Sequence, residues 1–466
     1  LKAERKGSIV PPSDESIAAR VVVLTLLYSL IVLMLRSAEG ASLSLFLEHL
    51  GAARLPYTFL AISLVDLPLA LVYMRLSPRI PNRLLLALLT LLLIASLGGA
   101  RLLGGVHLGA GLFASYMAAT ILNTFLVIQW GVTLLDFFTV EESRRAFPLI
   151  YTGAHAGGFA AGLLLRHLAL PLGSENLLIF VPGGAAALVC LLVALASRLQ
   201  EGRAWRQGDA ARSRPTGVLG KLGLLRTSPL LRAIALATAM MVLLRLSIRY
   251  CYGASFADAF PSPDDLTRFI GTYTIFASLA GIAMQALFTP VLLRRLGVGR
   301  TNVLYSLFVT SAFAWLALWP GLTSAIAGRA TDQDLKSAVK TPLSAIFYEA
   351  MGERSRADAR AIILGIVSPA SSFVSSLILV AVAEGGIPPA LLAAAGAVLS
   401  LAFIVLSHAQ GRSYGRALEE LLLSWLRRKK GKEDVTLDDA VHLGLRTEER
   451  RINDMAREVS RRRKGE

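Results

Sequence analysis

Apolar residues run along this chain in long blocks broken by short polar and basic stretches, without the two-residue alternation of a half-buried strand. Twelve blocks are long enough to cross a bilayer as helices: residues 18–35, 56–76, 83–100, 108–135, 147–168, 177–197, 230–250, 269–292, 302–319, 322–348, 361–383 and 388–408. The stretch 200–229 carries Arg203, Arg206, Arg212, Arg214, Lys221 and Arg226 against Glu201 and Asp209, and divides the blocks six and six. The predicted organisation is an N-terminal segment 1–17, a six-helix half 18–199, a linker 200–229, a second six-helix half 230–408 and a basic tail 409–466. Within the linker, Val218 to Arg226 has the mixed pattern of a helix lying in the membrane interface.

Composition agrees with this pattern. The chain has 466 residues, 54% of them hydrophobic, with a mean hydropathy of +0.58, so it is too apolar for a soluble protein of its size. No small-residue cleavage site follows the first apolar block, so no removed signal peptide is expected. The net charge is +16. Lys and Arg fall in alternate loops, at Arg79 and Arg83, Arg144 and Arg145, the linker, Arg294 and Arg295, and Arg354 to Arg360. The opposite loops carry Glu39, Glu48, Glu175, Asp258, Asp264, Asp265 and Glu384. By the positive-inside rule both termini are cytoplasmic, and the basic charge serves topology and anionic lipid at the tail and linker rather than nucleic acid. Cys190 and Cys251 lie in or beside apolar blocks, which argues against a disulfide framework.

An internal echo supports the halving. Glu142-Ser143-Arg144-Arg145 precedes the small-residue helix Thr152 to Gly162, and Glu353-Arg354-Ser355-Arg356 precedes Gly365 to Ser376. Blocks three, six and twelve are nearly pure Leu, Ala and Val, whereas seven and ten carry internal charges. That distribution matches an all-α membrane protein of twelve transmembrane helices in two six-helix halves, the major facilitator arrangement, in which every third helix faces lipid and the first and fourth of each half line a cavity.

The tenth block holds the candidate chemistry. At 100° per residue Arg329, Asp332, Lys336 and Lys340 share one helical face, which must look onto protein or a water-filled cavity. Lys336 and Lys340 are candidates to hold phosphate or carboxylate, with Asp332 either leaving them available or neutralising Lys336 and Arg329 in a structural network. Pro342 is expected to kink the helix just past Lys340. Arg245 and Arg249 lie four apart on block seven: Arg245 either clamps an anion or pairs with an acid across the bundle, and Arg249 is expected to reach the outer interface. Asp66 is either a proton or cation site or, beside Pro68, a helix break whose carboxylate accepts backbone N–H groups. Asn123, Gln129, Asp136 and Gln285 are expected to make interhelical hydrogen bonds, and His155 to be packed and satisfied.

No P-loop, nucleophile triad, paired-carboxylate arrangement or metal-ligand cluster is recognisable, so no enzymatic activity and no cofactor are expected. In the tail, Leu418, Leu421, Leu422, Trp425 and Leu426 precede Arg427-Arg428-Lys429-Lys430, the pattern of an amphipathic helix on an anionic membrane surface. The charged residues 447–463 are either solvated or a docking site for a cytoplasmic partner.

Several stretches resemble one family. Thr139-Val140-Glu141-Glu142-Ser143-Arg144-Arg145-Ala146-Phe147-Pro148-Leu149 with Gly153-Ala154-His155-Ala156-Gly157 is similar to the loop and fifth span of the ATP/ADP translocases of plastids and intracellular bacteria and of their bacterial relatives. Asp258 to Pro263 with Phe269-Ile270-Gly271, and Lys336 to Pro342 with Tyr348-Glu349, carry the same resemblance. It implies a twelve-span antiporter for nucleotides in a bacterial cytoplasmic membrane, with Lys336 and Lys340 at matching basic positions. The family's lysine in span two has no counterpart near Ala61 and Ile62, and its acid in span four is replaced by the apolar run near Ala118. The sequence therefore predicts a secondary transporter for a small anionic solute. The alternatives are a non-transporting sensor or scaffold acting through the tail, and a lipid or drug exporter.

Overall fold

A computed structural model describes residues 14–77, 79–138, 140–198, 218–351 and 353–428. Among these no strand occurs; the chain is a succession of helices. In order they are α1 (Asp14–Leu50), α2 (Leu55–Leu76), α3 (Asn82–Val106), α4 (Leu108–Leu135), α5 (Val140–Leu172), α6 (Ser174–Arg198), α7 (Val218–Thr227), α8 (Pro229–Ala259), α9 (Pro263–Ala283), α10 (Thr289–Leu318), α11 (Leu322–Arg329), α12 (Thr341–Glu349), α13 (Glu353–Ile362), α14 (Ser368–Glu384) and α15 (Pro389–Arg428). Nine helical runs among the described residues are long and apolar enough to span a membrane. One of them, Pro263–Leu318, is 56 residues long and holds the eighth and ninth blocks, with Gly297 between them at φ 73°. That positive φ is accessible to glycine without steric cost, which is why the chain turns there.

Many side chains that face away from the protein are as apolar as those inside. On α3, Leu86, Thr90, Leu93 and Leu97 are fully enclosed, while Leu84, Leu88, Leu91 and Leu92 are exposed. A helix that is hydrophobic all round, repeated along the chain, requires lipid on its outer face. The chain is an integral membrane protein.

The helices pack as two compact units, one of Leu1–Phe46, Tyr73–Ala210 and Pro263–Leu279, the other of Leu47–Val72, Ala211–Ser262 and Ala280–Glu466. α1 runs on to Leu50, well past the predicted end of its block at 35. Arg36 and Glu39 pair across one turn at 3.4 Å, which reduces the cost of carrying charge onward in the helix. Close helix approaches rest on glycine: a Cβ at Gly157 would meet the Ser29 carbonyl at 2.0 Å, and one at Gly162 the Gly271 carbonyl at 2.7 Å. Gln129 accepts from the Tyr73 hydroxyl at 2.7 Å and donates to the Asn82 carbonyl at 2.9 Å, and Asp136 accepts from the Asn82 amide at 2.9 Å. These are the interhelical bonds expected of Gln129 and Asp136. His155 differs from expectation, since its Nε2 is buried without a hydrogen-bond partner among the described residues.

In the second unit, Ser228 caps α8 by accepting from the Leu231 N–H at 3.3 Å, with Pro229 in the first turn. The helix predicted at Val218 to Arg226 is α7; residues 199–217 of the linker lie outside the described residues. α15 is one 40-residue helix in which the last span continues into the start of the tail. The helix expected at Leu418 to Leu426 is thus continuous with the last span, and the side chains of residues 421–428 lie outside the described ones; Tyr414 and Leu418 are enclosed, and the Tyr414 ring meets Phe347 edge-on at 5.4 Å. Tail residues 429–466, including 447–463, lie outside the described residues.

Three stretches of the second unit adopt the wider π-helical turn: Met284–Phe288, Ala330–Lys340 and Ile363–Val367. Each ends two residues before a proline, at Pro290, Pro342 and Pro369. Proline lacks the N–H that the carbonyl four residues back would accept, and its ring crowds that carbonyl. The preceding turn widens in response, so that the N–H groups of Thr289, Thr341 and Ser368 donate five residues back, to Met284, Lys336 and Ile363. At Pro342 the released carbonyl is that of Ala338, and it accepts the Thr289 hydroxyl at 3.0 Å. Where a kink is expected just past Lys340, the structure instead has an 11-residue π-helical stretch that ends at Lys340, before the proline.

Candidate functional site

Arg245, Arg249 and Tyr252 stand at i, i+4 and i+7 on α8, so an ordinary α-helix sets all three on one face. That face meets Asp332, whose side chain is completely enclosed. Arg245 Nε donates to Asp332 Oδ1 at 2.8 Å; Arg249 Nε and Nη2 donate to Oδ2 at 3.2 and 3.1 Å; and the Tyr252 hydroxyl donates to Oδ2 at 3.3 Å. A carboxylate in a low-dielectric interior is tolerable only with such partners, and here two guanidinium groups share it. The expected single stripe on the tenth block is therefore corrected. The π-helical turn replaces the 100° step, and Asp332 finds bonded partners on α8. Arg249 is likewise corrected: it binds Asp332 instead of reaching the outer interface.

Lys336 also lies within electrostatic reach of Asp332, Arg245 and Arg249. It is half-buried, and among the described residues its ammonium has no ion-pair or hydrogen-bond partner. Arg245 retains 27% of its side-chain exposure, and its Nη1 and Nη2 make no further bond among the described residues. A small cavity opens beside these groups, lined by Arg245 and Asp332 and by the enclosed rings of Tyr305 and Phe403, with Met241 and Val309.

Lys340 is placed differently. It is 4% exposed and donates to Asn302 Oδ1 at 2.6 Å, with its ammonium 5.9 and 5.8 Å from the ring centres of Phe347 and Phe403. Asn302 in turn donates to Gln410 Oε1 at 3.0 Å and to the Ser407 carbonyl at 3.2 Å. This is a closed polar network joining α10, the π-helical stretch and α15, with a charge satisfied by neutral partners and ring faces. Arg329 is buried at the last turn of α11. Asp66 lies in α2, which continues through Pro68, so the helix-break alternative is corrected. Its Oδ1 is buried without a hydrogen-bond partner among the described residues, and it makes no bond with the Asp332 cluster.

Arg245, Asp332 and Lys336 are thus brought together, while Lys340 and Asp66 stand apart from them. Tyr252 and Asn302 were not singled out from the sequence; Tyr252, seven residues after Arg245, carries a readable signal in its spacing, and Asn302 carries none beyond being polar in an apolar block. Among the described residues no group of three or more His, Cys, Asp or Glu side chains gathers, and both cysteines are free.

By sequence, no protein-family model and no curated protein matches the chain. Solved structures do match in shape. A bacterial homolog of the human lysosomal transporter Spinster, inward-facing and unoccupied, aligns at TM-score 0.52 with 14% identity, over 87% of this chain and 99% of that one. The nucleoside transporter NupG aligns at 0.57 with 14% identity, over 83% and 98%. An auto-inhibited peptide transporter of the POT family aligns at 0.57 with 13% identity, over 86% and 97%. At such identities the likeness is one of architecture: the chain shares the overall fold of these solved transporters.

Proposed function

We propose that the chain is a secondary active transporter that works by alternating access and carries a small anionic organic solute, with nucleotides as the named candidate. The observation that carries this reading is that Arg245 and Lys336 stand beside the enclosed Asp332: Arg245 keeps 27% of its side-chain exposure, and the Lys336 ammonium makes no hydrogen bond or close ion pair among the described residues. A cation left uncompensated in a membrane interior is costly, and a solute anion relieves that cost. The solved structures of like shape support transport as the class, being transporters of nucleosides and of peptides and a homolog of a lysosomal transporter. The resemblance of Thr139 to Gly157 and of Lys336 to Pro342 to the ATP/ADP translocases supports a nucleotide and an exchange mode. On this reading twelve spans lie in a bacterial cytoplasmic membrane in two halves, 18–199 and 230–408, with both termini cytoplasmic and anionic lipid against the linker and tail.

The test is uptake of labelled nucleotides and organic acids into proteoliposomes. Wild-type protein is expected to move an anion above the empty-vesicle level, and Lys336→Ala to lower kcat/KM by about tenfold or more, the worth of one charge-assisted contact. Flux of no anion, or equal flux in Lys336→Ala and wild type, overturns the proposal.

A further inference from the structure

Asp66 lies eleven residues after Leu55 and ten before Leu76 on α2, so it is about 15 Å from either end of the helix at 1.5 Å per residue. α2 continues through Pro68, and the carboxylate is not spent on capping a break. Its Oδ1 is buried without a hydrogen-bond partner among the described residues. The polar side chains on its own helical face are engaged elsewhere: Ser63 Oγ donates back to the Leu60 carbonyl at 2.8 Å, and the Tyr73 hydroxyl donates to Gln129 at 2.7 Å. On the other elements, no charged or titratable side chain among the described residues lies within electrostatic reach of Asp66. An ionised carboxylate at that depth therefore has neither a counter-ion nor a donor among these residues, which is costly in a membrane interior, whereas a protonated one is neutral.

Taking the transport reading above as given, we infer that Asp66 is a proton-binding site and that one proton accompanies each anion through the membrane. A metal cation at this place needs several oxygen ligands, and among the described residues no group of three acidic, histidine or cysteine side chains gathers. A proton needs one carboxylate oxygen. It arrives from water on one side and forms an O–H bond with the carboxylate; on the other side that bond breaks and the proton returns to water, with nothing oxidised or reduced. Proton and solute travel together because an ionised Asp66 adds a second negative charge to the one the solute carries into a medium of low dielectric constant. Arg245 and Lys336 face the anion, and Asp66, which makes no bond with them, takes the proton. The two tasks fall on different side chains, so mutation separates them.

The experiment reconstitutes the full-length protein in liposomes with the membrane potential clamped at zero and follows labelled ADP and labelled succinate. Each is measured under a gradient of one pH unit, under a sodium gradient at equal pH, and in exchange against the same unlabelled anion with no gradient. With one proton per anion, a gradient of one pH unit sustains an accumulation of about tenfold, since both correspond to one factor of ten. Wild type is expected to reach that value under the pH gradient and to accumulate nothing under sodium. Asp66→Asn, a fixed neutral form of the side chain, should still exchange anion but lose the accumulation. A variant that accumulates like wild type, or a wild type that exchanges without accumulating, overturns the proton site. Accumulation driven by sodium and not by pH overturns it in favour of a metal cation. A folded Asp66→Asn protein that no longer exchanges overturns the division of tasks between Asp66 and the anion site. If wild type neither exchanges nor accumulates either anion, the transport reading itself fails. Should Asp66→Asn not fold, Asp66→Leu, apolar as its span is, decides by the same measurements.

Discussion

At the residue scale, two lysines four positions apart on one stretch have different surroundings. Lys336 is half-buried and its ammonium makes no hydrogen bond or close ion pair among the described residues, whereas Lys340 is enclosed by Asn302, Phe347 and Phe403. Removing the acceptor of a buried ammonium leaves a charged donor unsatisfied, which costs about 1–3 kcal/mol or more. Asn302→Leu should therefore lower the unfolding midpoint in detergent sharply, and adding Lys340→Met should recover most of the loss by removing the stranded ammonium. A double variant no more stable than Asn302→Leu alone would show that the network does not depend on the lysine's charge. The sequence drew attention to both lysines through their position in an apolar block. It could not separate them, since Asn302 and Phe403 lie 38 residues before and 63 residues after Lys340 in the chain. Arg249 was misread for the same reason: its distance from the membrane edge was visible, its bond to Asp332 was not.

At the scale of the element, the position of Asp332 and Lys336 relative to α8 depends on a helical register that Pro342 imposes. The 100° step applied to residues 329–340 predicts one charged stripe, and the wider turn explains why the structure has Asp332 on Arg245 and Arg249 and Lys340 on Asn302 instead. The proline itself was legible as a disturbance; the propagation of its effect over 11 residues was not, because it also depends on Thr289 reaching across to the Ala338 carbonyl. Pro342→Ala restores the missing N–H to that carbonyl and lets the α-helical register return. The variant is expected to unfold at the same or a higher temperature, since proline in a helix interior costs about 3 kcal/mol. Its anion uptake should nonetheless fall by about tenfold as Lys336 rotates away from Arg245 and Asp332, the loss of one charge-assisted contact. Uptake at the wild-type level in a demonstrably stable Pro342→Ala protein would detach the π-helical stretch from function.

At the scale of the whole molecule, the two readings of the tail, a solvated appendage of a transporter or the working part of a scaffold, meet at α15. Its 40 residues extend about 60 Å at 1.5 Å per residue, roughly twice the hydrocarbon thickness, so the helix leaves the membrane and keeps going. The periodicity of the tail revealed a helix with an apolar face but not its continuity with the last span, because Ser407 to Arg416 carries enough polar residues to suggest a break. Instead, that stretch packs. Gly411 lies backbone to backbone with Gly299, and Tyr414 and Leu418 are enclosed. Truncation after Arg428 removes none of these contacts, whereas truncation after Gly411 deletes a buried tyrosine and a buried leucine, each worth about 2–5 kcal/mol by analogy with large-to-small core changes. The first truncation should retain wild-type thermal stability and, for a transporter, wild-type uptake in proteoliposomes; the second should be unstable in detergent. A scaffold predicts another pattern, in which the full-length protein and the Arg428 truncation both lack flux. Comparing flux and unfolding midpoint across these three lengths separates loss of a signalling tail from loss of packing, which deletion of 412–466 in one step would confound.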